Sequence, residues 1–302
     1  MGNHVLITGA TGMIGKGLIR VLLEKGYEVS VLSRNAKPIP QVKVYSWDVH
    51  AGKIDERAFD GVTAIIHLAG ENIAAGKWTA ERKKEIIDSR VDSTALLYRS
   101  LHKIKHEVTD FISASAVGFY GDCGDEILTE DTEAGFGFMA DCCAAWENAV
   151  DQGKSLGLRI VKFRTGIVLD KNGGALPAMA TPVKFLAGAP LGSGTQWIPW
   201  IHLDDMIGIY LKGLEDHTLM GTFNSCAPFP VTNETLTKAL GRILHRPIWP
   251  FSVPAKVLDL LLGEMSAVVL SSTNTSAQKI LNAGYAFKYT QLETALSDIY
   301  GK

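Results

Sequence analysis

Three glycines follow the first apolar run of the chain. The segment VLITGATGMIG occupies residues 5–15, with glycines at positions 9, 12 and 15. A strand that enters a helix through such a loop leaves backbone N–H groups free at the helix start, where the helix dipole also favours an anion. We interpret Gly9 as a tight turn, Gly12 as the closest approach to a diphosphate, and Gly15 as the helix–sheet contact. The segment therefore predicts a dinucleotide-binding loop, the alternative being a glycine-rich turn without a ligand.

The end of the second predicted strand indicates which dinucleotide the loop serves. This strand ends in LSRN, so that Ser33 and Arg34 stand where an NAD-dependent enzyme usually has an acidic residue for the ribose 2′-hydroxyl. A guanidinium at that point can pair with a 2′-phosphate instead. The sequence therefore favours NADP(H) over NAD(H), although a solvated surface arginine is the alternative interpretation of Arg34.

The glycine spacing is GxxGxxG rather than GxGxxG, and it resembles the short-chain dehydrogenase/reductase superfamily, in particular its extended, sugar-nucleotide epimerase-like branch. HLAG (67–70) resembles the motif beside the adenosine half of the cofactor, and WIPWIHLDDM (197–206) resembles the HxDD segment of extended members. Asp48 follows the third predicted strand, where this superfamily contacts adenine. With Ser33, Arg34 and Asp48, the resemblance implies these cofactor-binding residues: Gly9, Thr11, Gly12, Met13, Ile14, Gly15, Leu68, Ala69 and Gly70.

The same resemblance implies a catalytic serine after the fifth strand and a Tyr-x-x-x-Lys pair on the next helix. Ser115, in SASAVGFYG, matches the serine that orients a substrate oxygen, and Tyr120 fits the tyrosine that ends this segment in extended members. We therefore take Ser115 and Tyr120 as the candidate catalytic residues.

The helix FGFMADCCAAWENAV does not supply the expected pair. Counting back from Glu147 places Cys143 at the lysine position and Met139 at the tyrosine position, and a shift by one residue gives Cys142 and Phe138. A free thiol could carry a proton, but a buried thiol is more often an inert packing residue. The sequence leaves the proton donor open.

Five segments together resemble one subgroup, the atypical short-chain dehydrogenases named "epimerase family protein", which carry a characteristic C-terminal domain. They are GATGMIG, LAGENIAAGKWTAERKKEIIDSR, SASAVGFYG, the W-E helix and VPAKVLDLLLGEMS…AGYAFKYTQLETAL. By this resemblance Glu71 and Arg90 lie near the cofactor or organise its pocket. Arg164, after the sixth strand, either reaches toward cofactor or substrate or forms an ion pair with a nearby carboxylate.

Strands and helices that alternate along the chain must position these residues. Repeated strand–helix–strand units predict an α/β fold, with a Rossmann-type doubly wound parallel sheet and a smaller C-terminal substrate-side region. We assign residues 1–165 to the NADP-binding domain, with 200–225 returning to it. The substrate-side region comprises 166–199 and 226–302, including the family-specific domain at about 250–299. Predicted strands begin at HVLITG, YEVSVLSR, VKVYSW, TAIIHLAG, DFISAS and LRIVKFRTGIVL, and predicted helices include 79–105, 139–155, 233–245 and 254–265.

Composition excludes several functional classes. The 302 residues are 46 % hydrophobic and 21 % charged, and the net charge of −2 provides no cationic surface for nucleic acid or an anionic membrane. The most apolar late stretch, VPAKVLDLLLGEMSAVVL, contains three charged residues, which favours a packed helix over a membrane span. Four cysteines without a CxxC pair predict neither a disulfide framework nor a zinc site. We expect a cytoplasmic protein.

The sequence is compatible with two functions. The first is an NADP-dependent epimerase or oxidoreductase that acts on an unknown small molecule without the Tyr-x-x-x-Lys pair. The second is a non-catalytic NADP(H)-binding sensor or regulatory protein, whose conformation responds to the cofactor through different affinities of two states. Extended relatives often dimerise through two long helices, which here correspond to 79–105 and 139–155.

Overall fold

The computed structural model describes residues 3–35 and 37–301. The strands are β1 His4–Thr8, β2 Glu28–Ser33, β3 Lys43–Asp48, β4 Lys53–Ile54, β5 Ala64–His67, β6 Asp110–Ala116, β7 Ile127–Leu128, β8 Arg159–Thr165, β9 Ile167–Leu169, β10 Trp197–Ile198, β11 Trp200–His202, β12 Gly221–Ser225, β13 Val231–Thr232 and β14 Asn274–Thr275. The helices are α1 Met13–Glu24, α2 Ala80–Lys103, α3 Phe138–Asp151, α4 Leu176–Lys184, α5 Leu203–Glu215, α6 Asn233–Ile243, α7 Ala255–Leu262, α8 Ser266–Leu270, α9 Gln278–Asn282 and α10 Leu292–Tyr300.

Eight strands form the central sheet, in the order β12-β8-β6-β5-β1-β2-β3-β4. All neighbours are parallel except β4, which pairs antiparallel with β3. Every residue of β1 and β5 is buried, as the apolar sequences of these strands predict for a sheet covered on both faces. The strand order reverses between β1 and β5, and ligands of doubly wound sheets bind outside the carboxyl ends of the strands at such a point.

Helices cover both faces of this sheet. α1 and α5 pack on one face, where Leu18 and Leu22 of α1 are fully buried. α2 and α3 pack against each other on the opposite face, where Leu97 and Val150 are fully buried. The predicted doubly wound α/β class is confirmed.

A third apolar core lies outside the sheet. It gathers α4, α6 and α10 around Trp200, which is fully buried and donates its indole N–H to the carbonyl of Phe229 at 3.0 Å. Residues from 166–200 and from the C-terminus thus share this core. β12 instead belongs to the central sheet, where it pairs with β8.

Two predicted elements differ from the observed ones. The sixth predicted strand breaks at Gly166, because the chain passes so close to Pro199 that a Cβ at this position would lie 2.5 Å from the Pro199 carbonyl oxygen. The helix predicted at 254–265 ends at Leu262, where Gly263 adopts a positive φ of 59°.

Candidate functional site

The glycine loop joins β1 to α1 beneath the end of β5. Gly9 has a φ of 69°, and a Cβ there would lie 2.6 Å from the carbonyl oxygen of Leu68. A Cβ on Gly15 would lie 2.6 Å from the carbonyl oxygen of Gly9, so the helix can approach the loop only with glycine at this position. Gly12 is the N-cap of α1 and provides no side-chain cap. The helix start therefore lacks both a side-chain acceptor and an acidic residue in its first turn, which suits an external anion.

A cleft of about 440 Å³ opens at this edge of the sheet, between the ends of β1, β2, β3 and β5 and the start of α2. Ten residues predicted to bind the cofactor line it: Gly9, Thr11, Gly12, Ser33, Arg34, Asp48, Leu68, Ala69, Gly70 and Glu71. The other candidates lie outside its lining within the described part of the chain: Met13, Ile14, Gly15, Arg90, Ser115, Tyr120 and Arg164. Met13 and Ile14 pack against the α1 core instead, and Met13 also lies beneath the backbone of Gly173 and Gly174.

Thr8 and His67, which are not among the predicted site residues, form hydrogen bonds that link the elements beneath the cleft. The hydroxyl of Thr8 accepts hydrogen bonds from the amides of Leu68 and Ala69, both at 3.1 Å, and contacts Nδ1 of His67 at 2.8 Å. Nε2 of His67 lies 3.2 Å from the hydroxyls of both Ser93 and Thr94 on α2. His67 therefore links β1, β5 and α2. Its signal in the sequence is a histidine within an otherwise apolar strand.

We expect His67 to make the protein sensitive to acid. Complete burial, reinforced by Arg90, lowers the pKa of His67 to about 3. The unfolded chain binds this proton near pH 6.5, so the contribution to stability is complete above pH 6.5 and is lost progressively as the pH falls toward 3. His67→Gln should remove about 1 kcal/mol of the stability change between pH 6 and pH 5, measured by urea unfolding at both values. An unchanged difference between the two pH values would argue against this role.

A carboxylate between two arginines marks the rim of the cleft. Arg34 donates from Nη1 to Oε1 of Glu71 at 2.8 Å, and its side chain is 71% exposed. Arg82, at the start of α2, approaches Oε2 of the same glutamate at 3.4 Å. These two cations hold the pKa of Glu71 below its usual value even though partial burial acts to raise it. Arg34 and Arg82 are thus both ion-paired residues of the cleft wall, and Arg82 is not among the residues predicted to bind the cofactor.

Arg90 lies behind the same wall without a carboxylate partner. Its guanidinium donates to the carbonyl oxygens of Ile86 at 2.8 Å and Glu71 at 3.2 Å, and it lies over the indole of Trp146. No salt bridge among residues 3–35 and 37–301 involves Arg90. Burial lowers the pKa of Arg90, and its guanidinium lies against the backbone of Gly70.

Ser33 and Asp48, the last residues of β2 and β3, also line the cleft. One carboxylate oxygen of Asp48 accepts the amide of Ala51 at 2.9 Å. The Ser33 hydroxyl donates to the carbonyl of Asn35 at 2.9 Å, which fixes the turn that carries Arg34.

A buried ionic network follows the next strand of the sheet. Ser115, at the end of β6, donates its hydroxyl proton to Oε1 of Glu147 at 2.7 Å. Arg164 on β8 donates to both oxygens of Glu147, at 2.8 and 3.1 Å, and Lys162 lies 3.4 Å from Oε2. All four side chains are at most 7% exposed. Of the two alternatives for Arg164, the structure shows the ion pair.

Tyr120 belongs to the far side of this network. Its hydroxyl accepts from Arg164 at 2.9 Å and lies 2.7 Å from Oδ1 of Asn224 and 2.9 Å from the carbonyl of Thr129. The side chain is fully buried, and burial raises the pKa of Tyr120 to about 12 even though Arg164 opposes the shift. The expectation that Tyr120 meets a substrate is therefore not supported, because its oxygen is enclosed by protein groups.

The helix positions for the tyrosine and lysine pair hold packing residues. Met139 lies against the turn at Gly118, where a Cβ would be 3.3 Å from its side chain, and Cys143 is adjacent. Cys142 and Cys143 are both buried, and burial raises the pKa of Cys143 to about 12. A thiol that resists ionisation is a poor proton carrier near neutral pH.

The HLDD segment is structural. His202 caps α5 by accepting the amide of Asp204 at Nδ1, 3.1 Å away. Asp205 is buried and accepts the amides of Lys288 and Tyr289 at 2.7 and 2.9 Å, which ties the C-terminal segment to α5.

Residues 3–35 and 37–301 contain neither a candidate cluster of metal ligands nor a helix that could span a membrane. No group of three His, Cys, Asp or Glu side chains in this part of the chain is arranged to hold a metal ion. None of its helices is long and apolar enough to cross a membrane.

Comparisons with known proteins agree with this architecture. The NAD dependent epimerase/dehydratase family matches residues 5–224, and a domain of unknown function, DUF1731, matches 253–299. Epimerase family protein YfhF of Bacillus subtilis is 35% identical over 298 residues, which cover 98% of this chain and 97% of the relative.

Solved structures give the same result. The human epimerase family protein SDR39U1 (isoform 2) with NADPH superimposes with a TM-score of 0.86 at 30% identity, over 99% of both chains. A nucleoside-diphosphate sugar epimerase from Corynebacterium glutamicum gives a TM-score of 0.80 at 33% identity, over all of this chain and 59% of that one. The chain therefore belongs to the NAD dependent epimerase/dehydratase family, as an atypical short-chain dehydrogenase/reductase with the DUF1731 domain at its C-terminus.

Proposed function

We propose that the protein binds NADP(H) and uses it as an oxidoreductase or epimerase, with a nucleotide sugar as the substrate class. The observation that carries the proposal is the cleft itself, where an uncapped helix start and Arg34 line the same cavity. A relative that matches this chain over 99% of its length was solved with NADPH, and another of 33% identity is named a nucleoside-diphosphate sugar epimerase.

The residues of the cleft fit the parts of NADP. The loop from Gly9 to Gly12 would hold the diphosphate through its amides, and Asp48 would accept from the adenine amino group with its remaining oxygen. Arg34 and Ser33 would hold the 2′-phosphate. Arg90 would act from behind the wall, by holding the backbone at Glu71 and Gly70 in place.

The reacting end would lie near Ser115, since the carboxyl ends of β5 and β6 are neighbours in the sheet. NADPH supplies a hydride when bound. Ser115 donates its proton to Glu147, whose carboxylate also contacts Arg164 and Lys162. The Ser115 oxygen can therefore accept a hydrogen bond from a substrate hydroxyl and orient it, whereas proton transfer needs another group.

Titration with NADPH tests cofactor binding. We expect enhanced NADPH fluorescence and an increased melting temperature, with a weaker response to NADH. The absence of both responses at millimolar NADPH would overturn the proposal. Nucleotide sugars are then incubated with the enzyme and cofactor, and epimer content is measured by NMR together with NADPH absorbance.

A second function has one observation in its favour. Counting along α3 gives Met139 and Cys143, or Phe138 and Cys142, at the positions expected for the proton-transfer pair, which would suit a non-catalytic NADP(H) sensor. A sensor would convert no substrate in the same screen, yet NADPH and NADP⁺ would protect different segments from hydrogen exchange. Homodimer formation and a cytoplasmic location stay predictions.

Ser115→Ala tests the orienting role. We expect turnover of a substrate found in the screen to fall by roughly 10- to 100-fold, because one oriented hydrogen bond is lost. NADPH affinity should change little, since Ser115 lies outside the lining of the cleft. Ser113→Ala on the same strand is the matched control. Full turnover in Ser115→Ala would remove this residue from the mechanism.

A further inference from the structure

One carboxylate occupies the place between two guanidinium groups at the rim of the cleft. Glu71 directs Oε1 to Arg34 at 2.8 Å and Oε2 to Arg82 at 3.4 Å. We propose that Arg82 is a second binding residue for the 2′-phosphate of NADP, and that Glu71 competes with that phosphate for both arginines. This inference rests on the proposed function, because it concerns the same cleft, and it assigns the cofactor discrimination of that cleft to two further side chains.

Arg82 is held in place before any ligand arrives. Its Nη2 donates to the carbonyl of Asn72 at 2.7 Å, and its Nη1 pairs with Glu85 at 2.8 Å. Its side chain is 17% exposed, against 71% for Arg34. A cation whose conformation is already fixed loses less entropy when it binds an anion. Arg82 thus has more protein partners and less exposure than Arg34.

Glu71 is anchored through its backbone, and only ion pairs at the rim of the cleft hold its partly exposed side chain. Its amide donates to the hydroxyl of Ser89 at 3.0 Å, while its side chain is 30% exposed. The carboxylate separates two like charges that otherwise repel each other. It carries one negative charge, whereas a phosphate monoester carries about −1.5 to −2 near pH 7 and has three acceptor oxygens. A 2′-phosphate can therefore replace the carboxylate on both guanidinium groups, and Glu71 can turn to water.

If Glu71 competes with the 2′-phosphate for Arg82, removing the charge of Glu71 and removing Arg82 should have opposite effects on NADPH affinity. Glu71→Gln keeps the shape of the side chain and removes the charge that holds the arginines. We expect it to tighten binding of NADPH and of adenosine 2′,5′-bisphosphate by roughly two- to fivefold, the value of an exposed ion pair. Arg82→Met should weaken both ligands by roughly tenfold or more, the value of a charged hydrogen bond. NADH and 5′-AMP should change less than twofold in both variants.

Isothermal titration of the full chain measures these affinities. Adenosine 3′,5′-bisphosphate distinguishes the 2′-phosphate from other ribose phosphates, and it should bind no better than 5′-AMP. Glu81→Gln and Arg99→Met, exposed positions on the same helix, are the matched controls and should leave all affinities unchanged. Circular dichroism establishes that each variant is folded.

Three outcomes would overturn the inference. The first is weaker or unchanged NADPH affinity in Glu71→Gln, which is independent of whether Arg82→Met folds. The second is an equal loss for NADPH and NADH in a folded Arg82→Met. The third is a wild-type protein that binds no NADPH, in which case the proposed function fails as well. If wild type binds NADPH but the variants do not separate the cofactors, only the inference on Arg82 and Glu71 fails.

Discussion

Arg34→Ala should weaken NADPH binding by about 1.5–3 kcal/mol, the value of a charged hydrogen bond, and leave NADH binding nearly unchanged. The guanidinium lies on the wall of the cleft, and only NADPH presents a phosphate at the ribose 2′ position. Fluorescence titration of both cofactors gives the two dissociation constants. Their ratio, rather than either value alone, reports the selectivity.

Arg57→Ala provides the control for this measurement. Arg57 is as exposed as Arg34, at 77%, and it pairs with Asp55 away from the cleft. Its removal changes the net charge equally without touching the cofactor site. Equal losses for NADPH and NADH in Arg34→Ala would contradict the assignment to the 2′-phosphate.

The largest effect on stability is expected from Glu147→Ala. The buried carboxylate of Glu147 compensates Arg164 at 2.8 Å. It also lies 3.4 Å from Lys162, which keeps a nearer partner in Asp151 at 2.9 Å. Removing Glu147 leaves cationic charge in the interior without its carboxylate, which costs about 3–5 kcal/mol. Urea unfolding followed by circular dichroism measures this loss as a lower midpoint at constant slope.

Two further variants make this prediction specific. Glu133→Ala removes an exposed carboxylate and should change the unfolding free energy by less than about 0.5 kcal/mol. The double variant Glu147→Ala/Arg164→Leu should lose less than the sum of the two single variants, because both remove the same pair. A loss below about 1 kcal/mol in Glu147→Ala would show that water reaches the network.

The network also bears on the orienting role that we propose for Ser115. Because its proton is donated to Glu147, the Ser115 oxygen would act only as an acceptor toward a substrate hydroxyl. In the sequence, Glu147 is only a reference point for counting along the helix. Its partners lie on β6 and β8, so only the folded sheet shows that it contacts the candidate catalytic serine.

The sequence by itself determined the class of the fold and the position of the phosphate loop. Apolar runs such as TAIIHLAG are local signals of buried strands, and the helix predicted at 79–105 is confirmed as Ala80–Lys103. The requirement for glycine at position 15 is equally local, since a Cβ there would meet the carbonyl oxygen of Gly9. At Gly9 the positive φ is local, whereas the close contact with Leu68 comes from the fold.

Only the tertiary structure decided which charged residues meet. Glu71 is 37 positions from Arg34 in the chain, and Ser115 is 32 positions from Glu147, yet each pair is joined by a hydrogen bond. The burial that encloses Tyr120 likewise comes from three other segments, which contribute Thr129, Arg164 and Asn224. Periodicity reports the local conformation of the backbone. Ion pairing and burial depend instead on the spatial order of the strands in the sheet, which brings residues that are distant in the chain to one edge.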